Sequence, residues 1–313
     1  MIDIQTIKSI AYEHGFDLCG VAPAEPLPEP NARFTAWLNA GMHGEMAYLR
    51  RHADLRMDTR TFWPAAQSIL MLGASYWHAE QEHEQERMGE IARYARGRDY
   101  HKVLRRQCKR LVKDVEALLD EDTESRICVD SAPFQERAYA ARAGLGWIGK
   151  NTCLIHPKMG SYLFLAAILW NLELPADEPM ADHCGSCHKC LEACPTQALI
   201  KPHTLDARKC ISYHTIELRG EIPDEYHAAI GRRIFGCDVC QQVCPYNRFA
   251  VETRFEEFHA HADLAGKSLD DFAAMTEAEF NAFFAGSPIR RAGHEGFQRN
   301  VRIVQGNSAN FHD

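Results

Sequence analysis

Eight of the twelve cysteines lie between Cys184 and Cys244, and this crowding limits what that part of the chain can become. The first four follow the spacing Cys184-x2-Cys187-x2-Cys190-x3-Cys194, with Pro195 next. Three thiolates at x2 spacing wrap one face of an iron–sulfur cubane. The fourth, leaving with a proline, turns toward a neighbouring cluster. A second set, Cys210 and then Cys237-x2-Cys240-x3-Cys244-Pro245, repeats the ending with Cys210 in the distant first place. Exchanging the fourth cysteines gives Cys184, Cys187, Cys190 and Cys244 to one [4Fe–4S] cluster. Cys194, Cys210, Cys237 and Cys240 then hold the second. Zinc would favour two separated C-x2-C pairs. A disulfide scaffold would be short, secreted and cysteine-rich throughout; here Cys19, Cys108, Cys128 and Cys153 are scattered singly over the first half. His183 and His188 flank the array and read as exposed loop residues. Clusters of this ligand type work at low potential, on the order of −400 mV. The region therefore reads as an electron conduit.

The rest of the 313 residues allows one large domain of ~150–200 residues beside the cysteine region. Met1–Gly20 shows no basic start followed by an apolar run, so no signal peptide is expected. The longest uncharged stretch, Met159–Leu172, falls short of the ~18–20 residues of a membrane helix. A soluble, reducing, cytoplasmic setting follows as an expectation. The formal net charge of −8 argues, taken alone, against a nucleic-acid partner. The charge is patterned, however. Acidic residues gather in Glu80–Glu90 and Glu252–Glu257, and basic ones in Arg93–Arg98, Lys102–Lys113, Arg232–Arg233 and Arg290–Arg302. Such patches bind phosphates whatever the net charge, although a basic run also serves as a plain solvated helix face.

Periodicity sketches the elements. Ile4, Ile7, Ile10 and Ala11 repeat at helical spacing, with Gly15 at the end. Leu18–Ala22, Ser68–Tyr76, Arg126–Val129 and Tyr162–Trp170 read as strands. His101–Leu119 is an amphipathic helix with Leu104, Cys108, Leu111, Val112, Val115 and Leu118 on one face, which makes Cys108 a core residue. Ser131 is expected to cap a helix with Pro133 in its first turn, running to Ala143. Leu269–Phe284 has apolar residues at helical spacing. No solenoid repeat and no low-complexity tract is present.

Gly144-Leu-Gly146-Trp-Ile-Gly149 spells G-x-G-x-x-G, and Gly144 to Gly149-Lys150-Asn151 nearly spells a P-loop. Both motifs must follow a strand. Here a helix precedes, and Asn151 stands where Mg²⁺ needs Ser or Thr. Gly144 reads as a helix stop. The glycines imply a backbone that approaches something closely, with a large flat cofactor as one candidate.

Several ordered motifs resemble the epoxyqueuosine reductase family. They are Gly41-Met-His-Gly-Glu-Met-Ala-Tyr-Leu49, Cys128-Val-Asp130-Ser-Ala-Pro-Phe-Gln-Glu136-Arg137, Gly144-Leu-Gly146-Trp147-Ile-Gly149-Lys150-Asn151-Thr152, Cys210-Ile-Ser212-Tyr213 and Gly236-Cys237-Asp238-Val-Cys240-Gln241. The resemblance runs from about Gly41 to Asn307. It implies a cobalamin-dependent enzyme with two [4Fe–4S] clusters that converts epoxyqueuosine to queuosine at the wobble position of certain tRNAs. The fold class it implies is α+β: an N-terminal α/β cobalamin-binding catalytic domain (1–175), a bacterial ferredoxin-like domain with both clusters (176–250), and a short helical C-terminal region (251–313) with possible tRNA contact. Asp130 matches the family's proton donor. It ends a strand, and burial beside an apolar corrin would raise its pKa so that it arrives protonated; its plainer role is that of a helix cap. Arg93, Leu154 (through its backbone), Ser212 and Asp238, with Cys237 beside it, match cobalamin-contacting positions, and Arg219 matches a tRNA-contacting one. Arg290, Arg291, Arg299 and Arg302 are candidates to grip RNA phosphates, and a splayed anticodon base would need a pocket over the corrin. Many family members continue into helical repeats beyond the Gly296-Phe297-x-Arg299-Asn300-Val301 segment, whereas this chain stops at Asp313, so part of the tRNA grip is expected to be absent or built differently. A low-potential electron donor and a monomeric state complete the expectation. Two rivals are a corrinoid reductase of the reductive dehalogenase type, whose members usually carry an export signal, and a non-catalytic electron carrier, which would hold no corrinoid.

Overall fold

The computed structural model describes residues 3–79, 89–119, 123–264 and 266–309. The acidic run expected at Glu80–Glu90 lies, but for its last two residues, outside them. Four strands, β1 (Leu18–Pro23), β2 (Ser68–Ser75), β3 (Ser125–Cys128) and β4 (Leu163–Trp170), form one sheet in the order β1-β2-β4-β3. All four occur within a residue or so of where the sequence places them. Every position of β2 is buried, because the sheet is covered on both faces. Its side chains alternate between two cores. Leu70 and Leu72 join Ile7, Leu104, Cys108, Leu111 and Trp170 on one side. Ile69 and Met71 join Tyr139, Ala140, Leu145 and Leu169 on the other.

Every pairing in this sheet is antiparallel. The N-terminal part is therefore α+β rather than the α/β arrangement expected. Alternating helix and strand signals do not encode strand direction: the connections from β1 to β2 and from β3 to β4 return the chain to the end of the sheet it left, and only the one from β2 to β3 crosses to the other end.

Helix α1 (Ile4–Glu13) and helix α2 (Tyr100–Glu116) pack on the first face. Cys108 is fully buried, but Leu118 lies beyond the end of α2 and is 54 % exposed, not on the buried face. Helix α3 spans Glu136–Arg142, with Gln135 at its N-cap and no side-chain cap. Ser131 therefore does not cap it; the Ser131 N–H and hydroxyl both turn back to the Val129 carbonyl. Pro133 forces the preceding residue away from helical angles, which delays the helix. The expected helix over Leu269–Phe284 is two, α4 (Leu269–Ala273) and α5 (Glu277–Phe283), because Thr276 and Glu279 form a capping box in mid-run.

A third core lies under the cysteine region. Ile211, Ile234 and Phe235 meet Phe272, Phe280 and Phe297, the last from helix α6 (Gly293–Ala309), together with Ile91 and Ala95 from the N-terminal half. Glu90–Ile91 pairs in parallel with Arg233–Phe235. The cysteine segment is thus laced to both flanking regions. Among the described residues, no helix is long and apolar enough to cross a membrane.

Candidate active site

A cavity of about 1960 Å³ opens beside the C-terminal end of β3. Tyr94, Tyr100, His101, Asp130 and Trp147 line it, as do Arg290 and Arg291. Asp130 follows β3 with φ +52, a left-handed conformation that Asp tolerates better than most residues. Its backbone N–H donates to Glu136 Oε1, so the helix α3 carboxyl group fixes the turn. The Tyr100 hydroxyl donates to Asp130 Oδ2 at 2.8 Å, and His101 Nε2 lies 3.0 Å from the same oxygen. His101 Nδ1 meets Asp99 Oδ1 at 2.7 Å, and Asp99 also caps α2 through the His101 N–H. The start of α2 thus supplies three residues to the site.

The electrostatics differ from the expectation for Asp130. Desolvation raises its pKa, but the hydrogen bonds from His101 and Tyr100 and the charges of His101 and Arg137 outweigh that, and the net direction is down. The Asp130 side chain is 57 % exposed, opening into the cavity. His101 takes the complementary position: burial opposes its charge, yet the bonds to Asp130 and Asp99 raise it to about 9. Burial and the Asp130 charge raise Glu136 to about 8. At neutral pH the protons reside on His101 and Glu136, and Asp130 is the carboxylate between them.

The cysteines surround two places. Cys184, Cys187, Cys190 and Cys244 line one cavity of about 260 Å³, shared with Lys150. Burial and the neighbouring Cys184, Cys244 and Cys187 thiols raise Cys190 to about 11. In the other group, burial together with Cys194 raises Cys210. Cys240 is raised by its hydrogen bond to Cys153, by burial, and by Cys237 and Cys210. Cys153 is therefore a ninth thiol at the array. Spacing could not reveal it, because the hairpin of Trp147–Ile148 with Leu154–Ile155 carries it there. His183 and His188 are exposed, as expected.

Trp147 connects the two regions. It lines the large cavity, and its Nε1 donates to Cys184 Sγ at 3.4 Å. The glycines around it approach protein rather than a cofactor. A Cβ on Gly144 would stand 2.5 Å from the Glu178 carbonyl oxygen, and one on Gly146 2.2 Å from that of Ile155.

The remaining predicted residues are placed as follows. The Arg93 backbone N–H donates to Asp238 Oδ2 at 2.7 Å, and its guanidinium lies over the rings of Tyr162 and Trp77. Leu154 is buried. Ser212 hydrogen-bonds the Cys210 thiol. None of Arg93, Leu154, Ser212, Cys237 and Asp238 lines the large cavity with Asp130. Arg219 is exposed and donates to the Ala292 carbonyl. Arg290 and Arg291 line the cavity, the latter bonded to both Glu217 oxygens. Arg302 is exposed. Arg299 does not face RNA: it is 5 % exposed, and its guanidinium donates to the carbonyls of His214, Leu218 and Gly220. A cation placed on three backbone carbonyls, those of His214 and Leu218 buried, is held by the fold.

Comparison with known proteins agrees with this geometry. Residues 183–247 match the family model described as 4Fe-4S double cluster binding domain. Taken with the cavity, this defines the class as an iron–sulfur oxidoreductase with two [4Fe–4S] clusters. Residues 56–131 match the model described as Epoxyqueuosine reductase QueG, DUF1730. Epoxyqueuosine reductase of Xanthomonas campestris is 43% identical over 98% of this chain and 87% of its own length. That of Escherichia coli is 38% identical over 97% and 81%. The chain belongs to the epoxyqueuosine reductase family. A crystal structure of an epoxyqueuosine reductase with an epoxyqueuosine-modified tRNA-Tyr stem loop is similar at a TM-score of 0.88, with 31% identity over 97% of this chain and 81% of that one. The Streptococcus thermophilus enzyme gives 0.87, with 30% identity over 100% and 82%.

Proposed function

We propose that this chain reduces epoxyqueuosine to queuosine at the tRNA wobble position, with electrons passed through two [4Fe–4S] clusters to cobalamin and with Asp130 as proton donor. One observation carries the reading: Trp147 lines the cavity that holds Asp130 and hydrogen-bonds a cysteine of the cluster array. The reaction consumes two electrons and two protons, and turns the epoxide into an alkene and water.

The cavity is about twice the upper end of the ~300–1,000 Å³ range of ordinary small-ligand pockets, which suits a broad macrocycle together with a nucleobase. When bound, cobalamin supplies a cobalt centre able to accept electrons from the clusters and act on the epoxide. Tyr94, Tyr100 and Trp147 line the cavity that would take its face; Arg93, Leu154, Ser212, Cys237 and Asp238, the residues the family resemblance assigns to it, stand outside that lining, and Arg93 and Asp238 bond each other there. The four thiols around the smaller cavity support one cluster, and the Cys194–Cys210 and Cys237–Cys240 proximities support the other.

Asp130 acts at Oδ2. Covering the cavity removes water from this carboxylate and raises its pKa, and His101 Nε2, in hydrogen-bond contact, passes it a proton. Asp130 then delivers that proton to the leaving oxygen, with Tyr100 and Asp99 orienting the pair. Arg219, Arg290, Arg291 and Arg302 are assigned to tRNA phosphates. A monomer in the cytoplasm, served by a low-potential electron donor, completes the proposal; thiolate-bound clusters belong in a reducing compartment.

The test is anaerobic reconstitution with iron, sulfide and cobalamin, followed by nucleoside analysis of treated tRNA. Queuosine should replace epoxyqueuosine. Protein that takes up both clusters but no corrin would turn the reading into that of an electron carrier.

A further inference from the structure

Lys150 is a buried ammonium group with no carboxylate partner among the described residues. It is 8 % exposed. Nζ donates to the carbonyl oxygens of Gly185 at 2.6 Å and Cys187 at 2.9 Å, and meets His188 Nε2 at 3.4 Å. The carbonyls are neutral, and an imidazole nitrogen accepts only when it carries no proton. Burying a cation costs several kcal/mol unless an opposite charge faces it. Lys150 shares the lining of the smaller cavity with Cys184, Cys187, Cys190 and Cys244; Lys189 and Arg248 also line it, but both are less buried than Lys150. The Lys150 backbone N–H also donates to the Cys184 thiol, where the Trp147 indole N–H arrives as well.

A cubane held by four thiolates is anionic, and reduction adds one more negative charge without making or breaking a bond. Its potential depends on net charge and on hydrogen bonds to its sulfurs. We propose that Lys150, helped by Trp147, sets the potential of the cluster held by Cys184, Cys187, Cys190 and Cys244, raising it so that this cluster accepts an electron more readily. The inference rests on the ligand reading given above. It assigns to Lys150 a tuning role distinct from the stapling of the Gly185–Cys187 loop.

The experiment uses the full chain, reconstituted without oxygen, with iron counted and both clusters followed by electron paramagnetic resonance during reductive titration. Lys150→Met should weaken the hold of one cluster on its electron at least tenfold, a downward shift of about 59 mV or more for a one-electron couple. The other cluster should stay in place. Lys150→Arg should restore most of the shift, and Trp147→Phe should move the same cluster down by less. A fully loaded Lys150→Met protein titrating at the parent potential, or an equal shift of both clusters, overturns the proposal. If Lys150→Met does not load, Trp147→Phe decides, and an unmoved potential there overturns it too. Parent protein with far fewer than eight irons would instead sink the ligand reading, and the iron count separates the two failures.

Discussion

The Tyr100 hydroxyl stands 2.8 Å from Asp130 Oδ2, and the Tyr100 ring is stacked on Phe164 with centroids 4.3 Å apart. The sheet core therefore sets the position of the carboxylate through a rigid aromatic arm. Tyr100→Phe keeps the stack and deletes the bond. It should lower turnover by roughly tenfold, from loss of a single bond of about 1.4 kcal/mol, while both clusters remain. Asp130→Asn should abolish queuosine formation at unchanged iron content, read as nucleoside product per enzyme. Turnover near the parent rate in Asp130→Asn would remove its acid role.

Proton inventory gives a pH prediction. His101 titrates at about 9 in the fold and at about 6.5 when unfolded. Its stabilising contribution is therefore complete below about 6.5 and is lost as pH rises through about 9. Glu136, raised to about 8 from about 4.3 unfolded, acts in the same direction at lower pH, since the folded state holds a proton that the unfolded chain releases. Thermal stability should fall on going from pH 6 to pH 9. Glu136→Gln should flatten the lower part of that slope and His101→Gln the upper part. A parent melting temperature that rises across this window would contradict the network.

The exchanged cysteine assignment predicts which losses coincide. Cys184→Ala and Cys244→Ala should each remove the same cluster signal, although sixty residues separate them, and leave the other intact. Cys194→Ala and Cys240→Ala should remove the second. About half the iron should remain in each case. Pairing by sequence instead, with Cys184 and Cys194 silencing one signal, would refute the exchange.

Much of this site could be read from the chain itself, and what could not has physical causes. Cysteine spacing speaks directly because a cubane fixes the reach between neighbouring ligands. Strands β2 and β4 are visible because burial on both faces leaves nearly uninterrupted apolar runs, but strand direction is not, since composition is blind to it. Asp130 is marked by the family resemblance of its motif, with its place after a strand in agreement, whereas its lowered pKa depends on His101, some thirty residues earlier, and a hydrogen bond over that distance leaves no local pattern. The helix expected from Ser131 failed on a local rule that was available, the effect of Pro133 on the residue before it. Cys153 and Trp147 reach the array only through a hairpin whose strands are two residues each, too short for any periodicity.

Arg299 shows why a basic run cannot be read residue by residue. Its guanidinium bonds the carbonyls of His214, Leu218 and Gly220, joining α6 to the segment that follows Cys210. Arg302, three residues on, is exposed. Removing Arg299 strands buried acceptors at about 1–3 kcal/mol each, so Arg299→Ala should destabilise the chain by several kcal/mol in urea denaturation. Arg302→Ala should stay within about 0.5 kcal/mol of the parent. Binding to tRNA should divide the other way. Arg302→Ala should weaken it and reduce its salt dependence by about one phosphate contact, whereas Arg299→Ala should bind normally in whatever fraction remains folded. If folded Arg299→Ala protein lost tRNA affinity while Arg302→Ala kept it, the structural role given to Arg299 would be wrong.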